Sequence, residues 1–240
     1  MLRLSQDRGG CEKGYSGSCQ EKSLARGLRE QREESPLSYL HQGESKEMSM
    51  PKDKTVFPSS DVLQGRKIQL RPPRPEEMKF VRWLWSDPET MRPVGGAFDL
   101  TDQEAHEWFT REINPGRPED CYCLILTKQG QPVGEISFHH LHRQSMTAEF
   151  NLKIAHKERR KGYAKEAMLL FLDYFFNCLK GRILFDDVAL DNKTAQQALL
   201  SFGFEYDPKL KDVFRLLMTL ERYNTLYQRN KAPKNQMNKY

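Results

Sequence analysis

Apolar residues follow a strand or helix period along one stretch of the chain, residues 65 to 228. Lys67-Ile-Gln-Leu-Arg71 alternates and predicts a first strand. Pro72-Pro73 break it, and Pro75 can open a helix whose first turn carries Glu76 and Glu77, where acidic groups suit the helix dipole. Phe80, Val81, Leu84 and Trp85 form its apolar stripe, Asp87-Pro88 stops it, and Gly95-Gly96 marks a turn. Thr101-Asp-Gln-Glu104 is a capping box that predicts a second helix to about Ile113. Two strands follow, Cys121–Thr127 and Pro132–His139, with a hairpin signal between them, then a third over Thr147–Ile154. A long helix over 162–179 buries Ala164, Ala167, Met168, Phe171, Leu172, Phe175 and Phe176, and Gly181 sits where its C-cap belongs. The chain then alternates: strand Arg182–Leu190, helix Lys193–Phe202, strand Val213–Leu220. A meander followed by alternation predicts an α+β fold, a mixed sheet with helices on its faces.

Composition separates this domain from its flanks. Residues 1–64 are rich in Ser, Glu, Gln, Lys, Arg and Gly and lack a sustained apolar period, so they are expected to form a disordered or weakly ordered tail, with a transient helix over 24–39. Residues 229–240 are expected to be a flexible C-terminal tail. The net charge of +5 among 240 residues is too weak to argue for nucleic acid, since the cations are interspersed with acids. No apolar run is long enough to span a membrane and no secretory signal opens the chain, so no membrane association and a cytoplasmic location are expected. Cys11, Cys19, Cys121, Cys123 and Cys178 show no metal-binding or disulfide spacing and read as reduced thiols. His139, His140 and His142 cluster at a strand end, but without a matching carboxylate or thiolate they predict no metal site.

Candidate chemistry concentrates at Arg159-Arg160-Lys161-Gly162-Tyr163-Ala164, between the strand Thr147–Ile154 and the long helix. The first N–H groups of a helix have no intrahelical partner and sit at the positive end of its dipole. A glycine lets that backbone approach a phosphate closely. The same six residues also fit an ordinary basic loop between strand and helix.

The surrounding pattern resembles the GNAT N-acetyltransferase superfamily. Arg159, Gly162 and Ala164 occupy the fixed positions of its Gln/Arg-x-x-Gly-x-Gly/Ala motif. Lys-Gly-Tyr-Ala-Lys-Glu-Ala-Met is similar to the branch of ribosomal-protein N-terminal acetyltransferases. So are Trp83 to Met91 with Gly95-Gly96, Gly134-Glu-Ile-Ser-Phe138, and the stretch from Asp191-Asn192 to Ser201-Phe-Gly-Phe204. The resemblance covers about residues 66–225. It implies a twisted, mostly antiparallel sheet of about six or seven strands with a splayed central pair and about four helices.

The resemblance implies acetyl-CoA as donor, a primary amine as acceptor and no metal. The pyrophosphate would lie on Arg160, Lys161, Gly162, Tyr163 and Ala164 beside Arg159, the thioester carbonyl on main-chain N–H groups near Lys153 and Ile154, and the pantetheine arm against Asn192. A main-chain N–H there would stabilise the oxyanion while the enzyme holds both reactants in line. The amine must lose a proton, and Glu149 and Glu135, on neighbouring strands, are the candidate bases. Asn192 is equally the N-cap of the last helix, and Glu135 and Glu149 equally fit structural carboxylates. Two positions depart from the family pattern: Ala195 stands where this branch has Ser, and Leu199 where the superfamily often has a Tyr acid.

The reading is therefore an acetyl-CoA-dependent N-acetyltransferase, a monomer or homodimer, with a protein N-terminus as first acceptor. The alternatives are a small amine acceptor (a polyamine, amino sugar or aminoglycoside) and a non-catalytic acyl-CoA-binding module. Arg92–Leu100, between the first two helices, is expected to border the acceptor.

Overall fold

The computed structural model describes residues 62–114, 116–209 and 213–228. The chain divides into two units, Met1–Met50 and Pro51–Tyr240, and every described residue belongs to the second. The expected tails lie outside the described residues except at 62–64, where Leu63–Gln64 (β1) pairs antiparallel with Ile68–Arg71 (β2). The sheet thus begins before the expected boundary.

The predicted meander is present as Cys121–Thr127 (β3), Pro132–His142 (β4) and Thr147–Ile154 (β5). Ile183–Val188 (β6), Glu205–Tyr206 (β7) and Phe214–Thr219 (β8) complete an eight-stranded sheet of order β1-β2-β3-β4-β5-β6-β8-β7. Every pairing is antiparallel except β5 with β6. β1 and β7, the two strands that no alternating run predicts, are two residues long, too short to carry such a signal.

Alternation in β3 sorts its side chains to the two faces. Cys121, Cys123 and Ile125 enter a core with Phe171, Phe175 and Phe204, while Tyr122, Leu124 and Leu126 enter a second core with Val81, Leu84 and Trp85. The first is covered by Tyr163–Asp173 (α4) and Lys193–Ser201 (α5). The second is covered by Met78–Ser86 (α1) and, through Trp108, by Asp102–Glu112 (α3). Each large apolar side chain fully buried in these layers contributes ~1.5–3 kcal/mol. Trp83 and Phe98 stand 44% and 39% exposed. Trp83 is two positions from both Val81 and Trp85, about 200° around the helix, so the stripe that buries those residues turns it outward. Cys121 and Cys123 are buried and Cys178 exposed, all three as free thiols; burial pushes the Cys121 thiol well up.

The caps explain the helix boundaries. Thr101 and Glu104 form the predicted capping box of α3. Asp87 does more than stop α1: its carboxylate accepts from the Thr90 N–H at 3.1 Å and starts a further short helix, Pro88–Met91 (α2). Gly181 corrects its predicted role. Lys180 takes the left-handed conformation, at φ 62°, while the Gly181 N–H closes the helix end on the Phe175 carbonyl at 2.9 Å. Glycine is required there because a Cβ would lie 2.1 Å from the Phe175 ring. Gly181→Ala is therefore expected to destabilise the domain by ~1–3 kcal/mol in chemical denaturation, as overpacking does.

Candidate active site

The sheet opens between its two parallel strands. β5 pairs with β6 only through Thr147–Ile183, Ala148–Leu184 and Glu149–Phe185. Beyond that point β5 stays with β4 as far as Ile154, and β6 stays with β8 as far as Val188. The β6-facing backbone groups of β5 from residue 150 to 154 therefore have no strand beside them, which leaves main-chain N–H groups free to receive a ligand carbonyl. Gly134 lets β4 approach this segment, because a Cβ there would lie 2.3 Å from the Lys153 carbonyl oxygen.

The turn 159–164 follows the end of β5. Gly162 has φ 87° and Arg160 φ 65°, so consecutive amides are bent to one side ahead of α4. Among the described residues, the N–H groups of Arg160 through Lys165 find no acceptor; the first helical bond runs from Glu166 to Gly162. Arg160, Lys161 and Gly162 are exposed. A groove lined by Arg66, Lys67, Gly162, Lys165, Glu166 and Asp173 continues from the turn along α4. Free amides, a helix N-terminus and exposed cations together make an anion cradle.

Two residues of the predicted set are held by hydrogen bonds within the chain. Arg159 points inward and donates to the Ile154 carbonyl at 3.2 Å and the Thr90 carbonyl at 2.9 Å. It fastens the turn to β5 and α2. Asn192 caps α5 by accepting from the Ala195 N–H at 3.1 Å, and its amide donates to the Pro93 carbonyl at 2.6 Å. That second bond ties α5 to the 92–100 segment. Leu199, where the family often has Tyr, is buried in the core.

The two candidate bases sit in different environments. Glu135 is 2% exposed and accepts from Trp85 Nε1 at 3.0 Å, from Lys153 Nζ at 2.7 Å and from the Tyr122 hydroxyl. Burial and this carboxylate push the Tyr122 phenol well up. With its acceptor sites filled and solvent shut out, Glu135 organises β3, β4, β5 and α1 around one buried charge. Glu149 is partly exposed and lies 3.4 Å from His140 Nδ1. The His140 imidazole holds the Glu149 carboxyl below the usual carboxylate range, and Glu149 raises His140 in return.

The three histidines do not converge. His139 packs beside Asp120 and contacts Ser137 at 3.0 Å, His140 meets Glu149, and His142 meets Ser145 at 2.8 Å. Glu112 and Asp120 come within 4.8 Å of His139, and Arg111 and Arg117 supply positive charge beside Glu112.

Sequence reasoning overlooked the pair after Phe185. Asp187 is bound in two places by Arg215, at 2.6 and 2.5 Å. Asp186 makes no ion pair or side-chain hydrogen bond among the described residues, and burial, reinforced by Glu149, pushes its carboxyl up to about 7. Two adjacent acids in a buried strand were the available signal, masked by reading the run only for its apolar alternation.

The family described as Acetyltransferase (GNAT) domain matches residues 67–205. The chain belongs to the GNAT acetyltransferase family. It is an acetyltransferase, and acetyl-CoA is its co-substrate. A curated relative, the uncharacterized N-acetyltransferase p20 of Bacillus licheniformis, is 23% identical over 155 residues, covering 63% of this chain and 86% of that protein. The spermidine N-acetyltransferase of Vibrio cholerae, solved with CoA and spermine, superposes with a TM-score of 0.60 at 20% identity, covering 65% of this chain and 98% of that one. A second Vibrio cholerae structure, with a provisional ribosomal-protein-serine acetyltransferase assignment, gives a TM-score of 0.57 at 17% identity, over 67% of this chain and 98% of that one. These likenesses establish the α+β fold with its open, mostly antiparallel sheet. No helix among the described residues is long and apolar enough to cross a membrane.

Proposed function

We propose that the enzyme moves the acetyl group of acetyl-CoA directly onto the α-amine of a protein or peptide N-terminus, with both substrates bound together. In this reading the free amides of Arg160 to Ala164 hold the pyrophosphate, Arg160 and Lys161 add charge, and Arg159 fixes the turn. The main-chain N–H groups near Lys153 and Ile154 face the opening and polarise the thioester carbonyl. Asn192 holds the 92–100 segment against the cofactor side. Glu149 draws the acceptor's ammonium to the opening, and Glu135 positions Lys153 without taking a proton.

Charge matching at the opening carries the choice of acceptor. Glu135 is matched by Lys153 and Asp187 by Arg215, Glu149 lies 3.4 Å from His140 Nδ1, and among the described residues Asp186 has no basic partner. A polyamine needs a row of unmatched carboxylates, whereas this site has room for one positive charge. A peptide α-amine meets that demand, and the 92–100 segment, in which Gly95 and Gly96 both take positive φ, suits an extended acceptor.

The test incubates the enzyme with acetyl-CoA and peptides bearing a free α-amine, the same peptides blocked at the N-terminus, and spermidine. Thiol release and the mass of each product are followed. The expected product is one acetyl group on the free α-amine, with no turnover of blocked peptides. Turnover of spermidine with no reaction at any α-amine would overturn the proposal.

A further inference from the structure

Glu149 and Asp187 beside the opening each contact a basic side chain, and Asp186 contacts none among the described residues. Asp186 is the first residue of β6 past its last pair with β5, where the sheet has just parted. On its other side β6 remains paired through Asp186–Leu216, and fully buried Leu216 brings no charge. Strand alternation places Asp186 on the α4 face of β6, with Leu184 and Val188, and Glu149 on the opposite face of β5. The two carboxyls thus border the opening from both sides. The charged groups that act on Asp186 are Glu149 and Lys153 from β5 and Asp187 on its own strand. The side chain is half-buried and without a hydrogen-bonding partner among the described residues, so its carboxylate is free to receive a proton.

We infer that Asp186 is the catalytic base of the transfer, taking its proton from the acceptor amine. This rests on the proposed α-amine acceptor. As the nitrogen attacks the thioester carbonyl, the C–N bond forms, the C–S bond breaks and its electron pair leaves on sulfur. Asp186 takes one proton from the bound α-ammonium before attack and releases it to water, and the second nitrogen proton, lost as the C–N bond forms, goes to the thiolate.

Base strength favours Asp186 over its neighbours. An α-ammonium has a pKa of ~7.7–8.0, so a carboxyl raised to about 7 lies within about one unit of it. Glu149, held below the usual range by His140, lies further from it. A base matched to its substrate and to the working pH transfers protons most effectively. Asp186 acts when ionised, so the rate should rise with pH through about 7.

The test measures kcat against pH with acetyl-CoA and a free α-amine peptide for the wild type, Asp186→Asn and Asp186→Glu. Asp186→Asn is expected to bind acetyl-CoA normally, lose ~100-fold or more in kcat at neutral pH and lose the rise near pH 7. Its deficit should shrink at high pH, where the amine is already neutral. Asp186→Glu should restore turnover with a displaced rise. If the wild type acetylates the peptide and Asp186→Asn stays within about threefold of it with the rise intact, the assignment falls while the proposed function stands. A wild type inert toward every α-amine overturns the function itself. Should Asp186→Asn fail to bind acetyl-CoA, Asp186→Glu decides: an unshifted rise overturns the assignment.

Discussion

Gly162→Val is expected to abolish acetyl-CoA binding while leaving the domain folded. Gly162 sits at φ 87°, a conformation that a β-branched residue occupies only at a cost of ~1–3 kcal/mol. The space around it is open: an added Cβ would meet only Lys67 Nζ, at 3.4 Å. No core clash therefore threatens the fold. The strain is relieved by rotating the turn, and rotation re-aims the amides of Arg160 to Ala164 away from the phosphate position. Losing two or three charge-assisted hydrogen bonds raises the dissociation constant by at least ~100-fold, about 2.7 kcal/mol. Calorimetric titration with acetyl-CoA measures this, and thermal unfolding checks the fold. Gly162→Ala, strained at the same φ but unbranched, is expected to fall between. An unchanged affinity in Gly162→Val would remove the turn from the account.

Glu135→Ala is expected to damage the fold more than the chemistry. The substitution leaves the Lys153 ammonium, the Trp85 indole N–H and the Tyr122 hydroxyl facing a vacated buried site. Breaking a buried ion pair by removing one partner costs ~3–5 kcal/mol. For a domain of this size that corresponds to a fall in Tm of about 10 °C. Glu135→Gln keeps an acceptor for the indole and the phenol and loses only the charge opposite Lys153, so a smaller fall is expected. Urea denaturation of both variants separates the two roles. A Glu135→Ala protein as stable as the wild type but with collapsed kcat would return Glu135 to the list of bases.

The large elements were legible because each carried its own periodicity and punctuation. β3 and β5 run over the predicted residues, and Thr101 caps α3 as its spacing implied. What escaped was set by contacts between segments distant in sequence. β1 and β7 exist only as partners of β2 and β8, and two residues hold no period. The need for glycine at 181 comes from the Phe175 ring, which no local rule reveals. At the site, the position of the phosphate turn could be read from Arg159 to Ala164, but the division of labour could not. Arg159 reads as a cation for phosphate, and only the folded chain shows that it fastens two carbonyls. Glu135 and Glu149 look equivalent on neighbouring strands, and only their partners separate a saturated buried carboxylate from a half-exposed one beside His140. Asp186 gains its character from the parting of β5 and β6, a property of the sheet rather than of any short stretch of chain.

The central claim is that acetyl-CoA lies across the turn and the opening of the sheet, with its reactive carbonyl on β5. Residue-resolved amide exchange, recorded with and without acetyl-CoA, tests it most directly. The account predicts that the ligand protects the amides of residues 160–165, unbonded among the described residues, together with the β6-facing amides of β5 between residues 150 and 154. Protection confined to other segments, with these two left exchanging at their unliganded rates, would contradict it.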